Sequence, residues 1–105
     1  MYYNQNIENF KQILRLHADR LDTLNADAYE AAEKVDAAFW KFAEAEKDPS
    51  VPEEDFQKLE MAYEQAMACR DELEQQAQLE QKFLFHAQEA LDTWEMLDSE
   101  FRPGI

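Results

Sequence analysis

The feature that most constrains this chain is a seven-residue repeat of apolar residues that runs almost from end to end and is interrupted once. From Ile7 to Ala45 the apolar positions alternate steps of three and four residues, with His17 as the only polar member. A second run with the same alternation extends from Phe56 to Phe101. Such a repeat, sustained over many heptads, predicts long helices that pack through one stripe, as in coiled coils.

The interruption is the stretch DPSVPEEDF, residues 48–56, which holds two of the three prolines. Asp48-Pro49 is predicted to end the first helix, because a residue before proline is pushed out of the helical region. Ser50 and Glu53 have the spacing of a capping box for the second helix. Asn4 or Asn6 is predicted to cap the first helix, and Arg102-Pro103-Gly104 to end the second.

These signals predict an all-α fold: an antiparallel helical hairpin of two long, coiled-coil-like helices in a single domain, residues 1–105. The first helix is expected over about 5–47, the turn over 48–51 and the second helix over about 52–101. One glycine in 105 residues agrees with this fold class, because helix interiors avoid glycine. A short connection makes the helices antiparallel neighbours, which pairs residues whose numbers add up to about 101.

The middle of the hairpin is the weakest part of the pattern. Residues 24–27 and 75–78 are polar or small and face each other in this register. A kink there would give the alternative fold, a bundle of three or four helices. Arg70 and Glu80 occupy positions of the second stripe, and both are expected to reach to its rim, Arg70 towards Asp27 or Glu74.

Two helices leave many apolar residues uncovered, and two helices alone seldom bury enough surface to offset chain entropy. We therefore expect the fold to be completed by dimerisation, with a homodimer favoured, or by a partner that covers the apolar surface.

The residues that carry enzyme chemistry are scarce. His17 lies in the first stripe, one layer from Glu80, and is expected to bond a nearby carboxylate, whereas His86 is expected on an outer face. A di-metal carboxylate site needs Glu three residues before each histidine, and Leu14 and Phe83 stand there instead. One glycine cannot build a phosphate loop or a nucleophile elbow. The sequence therefore predicts no enzyme, no cofactor and no metal site.

A single cysteine, Cys69, excludes a disulfide within the chain and is expected to be a small packed residue. The sequence shows no run that could span a bilayer and no signal peptide. We therefore expect the protein to be cytoplasmic.

The charge is large and uneven. The formal net charge is −14. Residues 1–49 hold 6 Lys/Arg and 10 Asp/Glu, a charge of −4, and residues 50–105 hold 4 and 14, a charge of −10. A chain this acidic is repelled by phosphate backbones and anionic lipid surfaces, so neither direct nucleic-acid binding nor membrane binding is expected.

The acidic outside of the second helix, with nearby aromatic residues as anchors, is the candidate partner-binding surface. Its predicted residues are Glu53, Glu54, Asp55, Glu60, Glu64, Asp71, Glu72, Glu74, Trp40, Phe83 and Phe85.

The favoured functional hypothesis is a non-enzymatic acidic protein of the inhibitor or adaptor kind, which docks on a basic surface of a nucleic-acid-handling protein and can mimic nucleic acid. Small acidic helical inhibitors of phages and mobile elements are similar in charge and size. The alternative is a structural homo-oligomeric coiled-coil scaffold or assembly chaperone, whose surface charge would serve solubility alone.

Overall fold

The chain folds into two long α-helices joined by one tight turn. The computed structural model describes residues 2–100, with side chains from Gln5 onward. Helix α1 spans Tyr2–Lys47 and helix α2 spans Glu53–Glu100, and no strand occurs in this range. The prediction of an all-α chain with two long helices is confirmed. Phe101 and the predicted helix end at Arg102-Pro103-Gly104 lie outside the described residues.

One detail of the predicted helices is wrong. Helix α1 begins at Tyr2, so Asn4 and Asn6 lie inside the helix and neither is its cap. Both helices run without interruption through residues 24–27 and 75–78, as in the favoured two-helix prediction and unlike the alternative bundle. The described part of the chain therefore has two helices and not three or four.

The residues form two compact units, each containing a piece of both helices. Unit 2, Leu24–Gln76, is a helical hairpin made of the end of α1, the turn and the start of α2. Unit 1 joins Met1–Thr23 with Ala77–Ile105. Its two helix segments run antiparallel, since Phe10 contacts Trp94 and His17 contacts Phe83. In both of these ring pairs the residue numbers add up to within a few of the predicted 101.

The predicted heptad stripes are the surfaces through which the helix segments pack. Every described position of both stripes is buried or half-buried. All buried residues of the described part of the chain belong to the stripes: Ile7, Leu24, Ala31, Val35, Ala45, Ala77, Glu80, Ala87 and Leu91. Four of these are alanines, and no large side chain is completely buried. The core of each unit is therefore thin.

The turn uses its polar residues differently from the prediction. Asp48 accepts hydrogen bonds at Oδ1 from the backbone N–H (2.9 Å) and the hydroxyl (2.6 Å) of Ser50, and its carbonyl accepts from the N–H of Val51 at 3.3 Å. Aspartate first and Pro49 second are the residues that such a β-turn favours. The Pro52 carbonyl accepts the first helical bond of α2, from Phe56 at 3.0 Å. The predicted capping box is wrong, because Ser50 serves the turn and α2 begins at Glu53.

Candidate protein-binding surface

The acidic residues predicted to bind a partner lie on α2 within unit 2, and their side chains are exposed. Helical spacing shows that these carboxylates project from more than one side of α2. Residues seven, four, seven and three apart share one stripe of a helix, and this relation holds for Glu53, Glu60, Glu64, Asp71 and Glu74. The other three, Glu54, Asp55 and Glu72, project from other sides of α2. The structure therefore brings together five of the eight carboxylates as a row, which we call the acidic row.

Part of the acidic row is neutralised by a neighbouring cation. Nη2 of Arg70 lies 3.1 Å from Oδ1 of Asp71, and its Nε lies 4.0 Å from Oε1 of Glu74. The predicted contact with Glu74 is thus made, and Arg70 does not pair with Asp27. Among the described side chains, no lysine or arginine lies within ion-pair distance of Glu60 or Glu64. The uncompensated charge of the row is therefore concentrated at these two residues and Glu53.

Beside the turn, aromatic rings from both helices of unit 2 form a ring cluster: Phe39, Trp40 and Phe42 of α1 with Phe56 and Tyr63 of α2. Phe42 lies 5.0 Å from Phe56 and 6.0 Å from Tyr63 between ring centroids. Phe39 lies 5.8 Å from Tyr63 and 5.6 Å from Trp40. The inner rings are half-buried, whereas Phe39 is 42% and Trp40 63% exposed. The cluster therefore ends outward in an exposed pair, Phe39 and Trp40.

The ring cluster and the acidic row adjoin on α2. Glu60 precedes Tyr63 by three residues, which makes them neighbours on the helix surface, and Glu64 follows Glu60 by four. Unit 2 holds 15 Asp/Glu and 5 Lys/Arg, a formal charge of −10, whereas unit 1 holds 9 and 5, a charge of −4. The acidic row thus adjoins the ring cluster through Tyr63, in the more acidic unit. Phe39 and Tyr63 were not among the predicted site residues, although Phe39 flanks the first stripe and Tyr63 occupies the second.

The other two predicted aromatic anchors belong to unit 1. The Phe83 ring lies 4.3 Å from the imidazole of His17, and 43% of Phe83 remains exposed. Phe85 is 63% exposed and lies 5.6 Å from the His86 ring. Of the three predicted anchors, the structure therefore places only Trp40 in the same unit as the acidic row.

A second polar group lies within the seam of unit 1, the interface where the heptad stripes of the two helices pack against each other. Glu80 is buried, its Oε1 bonds Nδ1 of His17, and its Oε2 lies 3.6 Å from Nε of Arg20. The expectation that His17 bonds a nearby carboxylate is confirmed. The expectation that Glu80 reaches the rim is wrong, because the two α1 side chains satisfy its charge inside the seam. The second histidine, His86, is exposed as predicted and lies 3.3 Å from Glu89.

Cys69 is exposed, which contradicts its prediction as a packed residue. It borders an open cleft of about 250 Å³ in unit 2. The cleft is lined by Asp27, Glu30, Ala31, Lys34, Cys69 and Leu73. The described residues form two helices only, so no third helix covers this side of unit 2.

Comparison with known proteins identifies no relative: no family model, curated protein or solved structure matches the chain at a significant level. Within residues 2–100, no helix is long and apolar enough to cross a membrane. Nor does the described part of the chain contain three or more His, Cys, Asp or Glu side chains arranged to hold a metal ion. The features from which a function can be inferred are therefore the surfaces of the two units.

Proposed function

We propose that this chain is a non-enzymatic protein-binding protein whose unit 2 docks on a basic surface of another protein. The observation that carries the proposal is that the ring cluster adjoins carboxylates that have no cationic partner among the described side chains. The Phe39 ring contacts Tyr63 and Trp40, and Tyr63 is a helical neighbour of Glu60, in the unit with a formal charge of −10. We place the protein in the cytoplasm, as the sequence predicts.

The two parts of this surface have different tasks. Uncompensated carboxylates attract a basic partner over distances of about a Debye length and raise the association rate. Burying the exposed indole of Trp40 removes apolar area from water and lowers the dissociation rate. An aromatic anchor beside a rim of charge is a common arrangement in protein interfaces.

The class of partner follows from the form of the charge. Glu60 and Glu64 are one helical turn apart, about 6 Å along the axis. With Glu53 they present fixed negative charges on a rigid helix, as a phosphate backbone presents its charges along a strand. A groove that holds nucleic acid is the basic surface most suited to such a row. We therefore propose an inhibitor or adaptor that competes with nucleic acid for its partner.

The test measures binding of the labelled chain to a panel of purified basic nucleic-acid-binding domains by fluorescence anisotropy. We expect binding to at least one domain, with affinity that falls steeply with salt and with added duplex DNA. The double substitution Glu60→Lys with Glu64→Lys should weaken it by roughly a hundredfold, since each charge reversal at an interface costs about 1.4 kcal/mol or more.

The matched control is Asp19→Lys with Asp22→Lys in unit 1, which changes the net charge equally. It should weaken binding far less. Equal losses from both double substitutions would mean that net charge alone matters, and the proposed surface would be wrong. Absence of binding to every domain at low salt would overturn the proposal itself.

The alternative function is a structural homo-oligomeric scaffold or assembly chaperone. The observation that favours it is the number of exposed apolar side chains in unit 1, among them Leu16 at 70% and Leu79 at 66% exposure. Completion of the fold by a second copy is part of this alternative, but it is also compatible with the proposed binding function.

A further inference from the structure

One side of unit 1 carries exposed apolar residues from both helices, and we call it the side face. Leu16 and Leu79 are 70% and 66% exposed, and Ile13 and Phe83 are 41% and 43% exposed. Exposure of apolar side chains to water is unfavourable. Each Å² of apolar area that is left exposed costs about 25 cal/mol relative to its burial. Farther along α2, Ala90 and Leu97 extend the face with half-buried side chains.

Helical spacing and two contacts place these residues on the same side of the unit. Ile13, Leu16 and Arg20 are three and four residues apart and share a stripe of α1. Leu79 and Phe83 share a stripe of α2 in the same way. Arg20 reaches Glu80, which adjoins Leu79, and the Phe83 ring contacts His17, which adjoins Leu16. The two stripes therefore flank the seam together.

The side face carries almost no charge, although the chain as a whole is strongly acidic. The positions of its α1 stripe are Asn6, Asn9, Ile13, Leu16, Arg20 and Thr23. The positions of its α2 stripe are Leu79, Phe83, His86, Ala90, Thr93 and Leu97. Arg20 is the only permanently charged residue among them, and it is paired with Glu80. Two copies can therefore approach through this face without opposing rows of carboxylates.

The surface area of the chain is also larger than its mass requires. The chain exposes 8163 Å², whereas a monomeric protein of 12.4 kDa is expected to expose roughly 6100 Å². The excess is about 2000 Å² per chain. A stable interface of standard size buries about 800 Å² on each partner, which is less than half of this excess over the whole chain.

We infer that the side face of unit 1 binds the side face of a second copy of this chain. The interface is isologous, because the same patch serves both copies and the pairing closes at two. The α2 stripe of each copy, with Leu79 and Phe83, covers the α1 stripe of the other, with Ile13 and Leu16. The result is a four-helix assembly of two packed layers, which buries the apolar side chains that one pair of helices leaves exposed. The inference does not depend on the proposed binding of a basic partner.

The test is sedimentation equilibrium of the full chain over a range of concentrations. We expect a mass of twice 12.4 kDa. Leu16→Glu and Leu79→Glu should each raise the dimer dissociation constant by on the order of a hundredfold, because every dimer then buries two uncompensated carboxylates. Both side chains are mostly exposed within one chain, so circular dichroism should show unchanged helicity.

Two matched controls replace exposed apolar residues elsewhere with the same acid. Met96→Glu in unit 1 and Trp40→Glu in unit 2, at sites 54% and 63% exposed, should leave the dissociation constant unchanged within about threefold. Dimerisation should also be nearly independent of salt, unlike binding of a basic partner. A wild-type chain that stays monomeric at every concentration would overturn the inference. A dimer that survives both leucine substitutions, or that only a control substitution dissociates, would overturn it as well.

Discussion

His17 and Glu80 bond each other across the seam of unit 1, at a layer where the other heptad positions are mostly apolar. Glu80 is the only charged residue that is buried among the described residues. A buried ion needs partners that restore the interactions lost with water. Here His17 bonds one carboxylate oxygen and Arg20 approaches the other. The pair therefore joins the two helices of unit 1 through a polar contact between apolar layers.

Removing one member of this pair should destabilise the chain, and replacing both should not. We expect Glu80→Ala to lower the free energy of unfolding by about 1–3 kcal/mol, because the His17 ring loses its partner in the seam. His17→Leu with Glu80→Leu completes the apolar stripes and should be as stable as the wild type or more stable. Urea denaturation at one fixed protein concentration measures both.

The control for that experiment is Glu89→Ala, which breaks the exposed contact with His86 and should change the free energy of unfolding by less than about 0.5 kcal/mol. If the double leucine variant loses as much stability as Glu80→Ala, the seam requires the polar pair and the argument from burial is wrong.

The turn should make stability depend on pH through Asp48. The hydrogen bond from the Ser50 hydroxyl, followed by that from the Ser50 backbone N–H, lowers the pKa of Asp48 below its ordinary value of 3.8. A carboxyl whose pKa is lower in the folded state stabilises that state above the unfolded pKa, and this stability is lost as the pH falls through the folded pKa. Ser50→Ala should therefore raise the pKa of Asp48 in an NMR titration.

The same substitution should lower stability at neutral pH and have little effect at a pH below the folded pKa of Asp48. Ser99→Ala, at an exposed position of unit 1, provides the comparison. An unchanged Asp48 titration in Ser50→Ala would show that the hydroxyl does not bond this carboxylate in solution.

Cys69 should react with thiol reagents in the native protein. Its side chain is exposed beside the cleft of unit 2, so no unfolding is needed for access. We expect the native labelling rate to lie within about tenfold of the rate in urea, because a buried thiol would instead wait for rare opening events. A native rate slower by several orders of magnitude would mean that a covering segment or second copy protects this position.

Trp40 should behave as a solvated indole and Trp94 as a partly packed one. Trp40 is 63% exposed, whereas Trp94 is half-buried and lies 6.4 Å from the Phe10 ring. In single-tryptophan variants made with Trp94→Phe or Trp40→Phe, Trp40 should show the more red-shifted emission and the stronger quenching by acrylamide. The opposite order would remove Trp40 from the proposed binding surface.

The sequence predicts the seam well because a heptad repeat is local information. Spacing alone determines which side of a helix is apolar, and burial then follows for Val35 and Leu91 alike. The burial of the Glu80 side chain could not be predicted from spacing. Whether a carboxylate in a stripe turns inward or outward depends on His17 and Arg20, which lie some sixty residues away in the chain.

The other wrong predictions have a similar cause. The Ser50 hydroxyl had two acceptable uses, the start of α2 or the Asp48 side chain, and the geometry of the Asp-Pro turn selected the second. Exposure of the acidic residues was predictable from their positions, but the neutralisation of Asp71 and Glu74 by Arg70 depended on side-chain conformation. The ring cluster depended on which rings meet across the hairpin, and so Phe39 was missed.

The division of the chain into units also orders its folding. Unit 2 is one continuous segment closed by a tight turn, whereas unit 1 joins the two ends of the sequence. Closing the short loop loses less entropy than bringing the chain ends together. We therefore expect the folding nucleus to form beside the turn. Pairing of the two helices should then extend from the turn towards the chain ends. Ala45→Gly should then slow folding more than Ala87→Gly does, and the reverse order in stopped-flow kinetics would contradict this sequence of events.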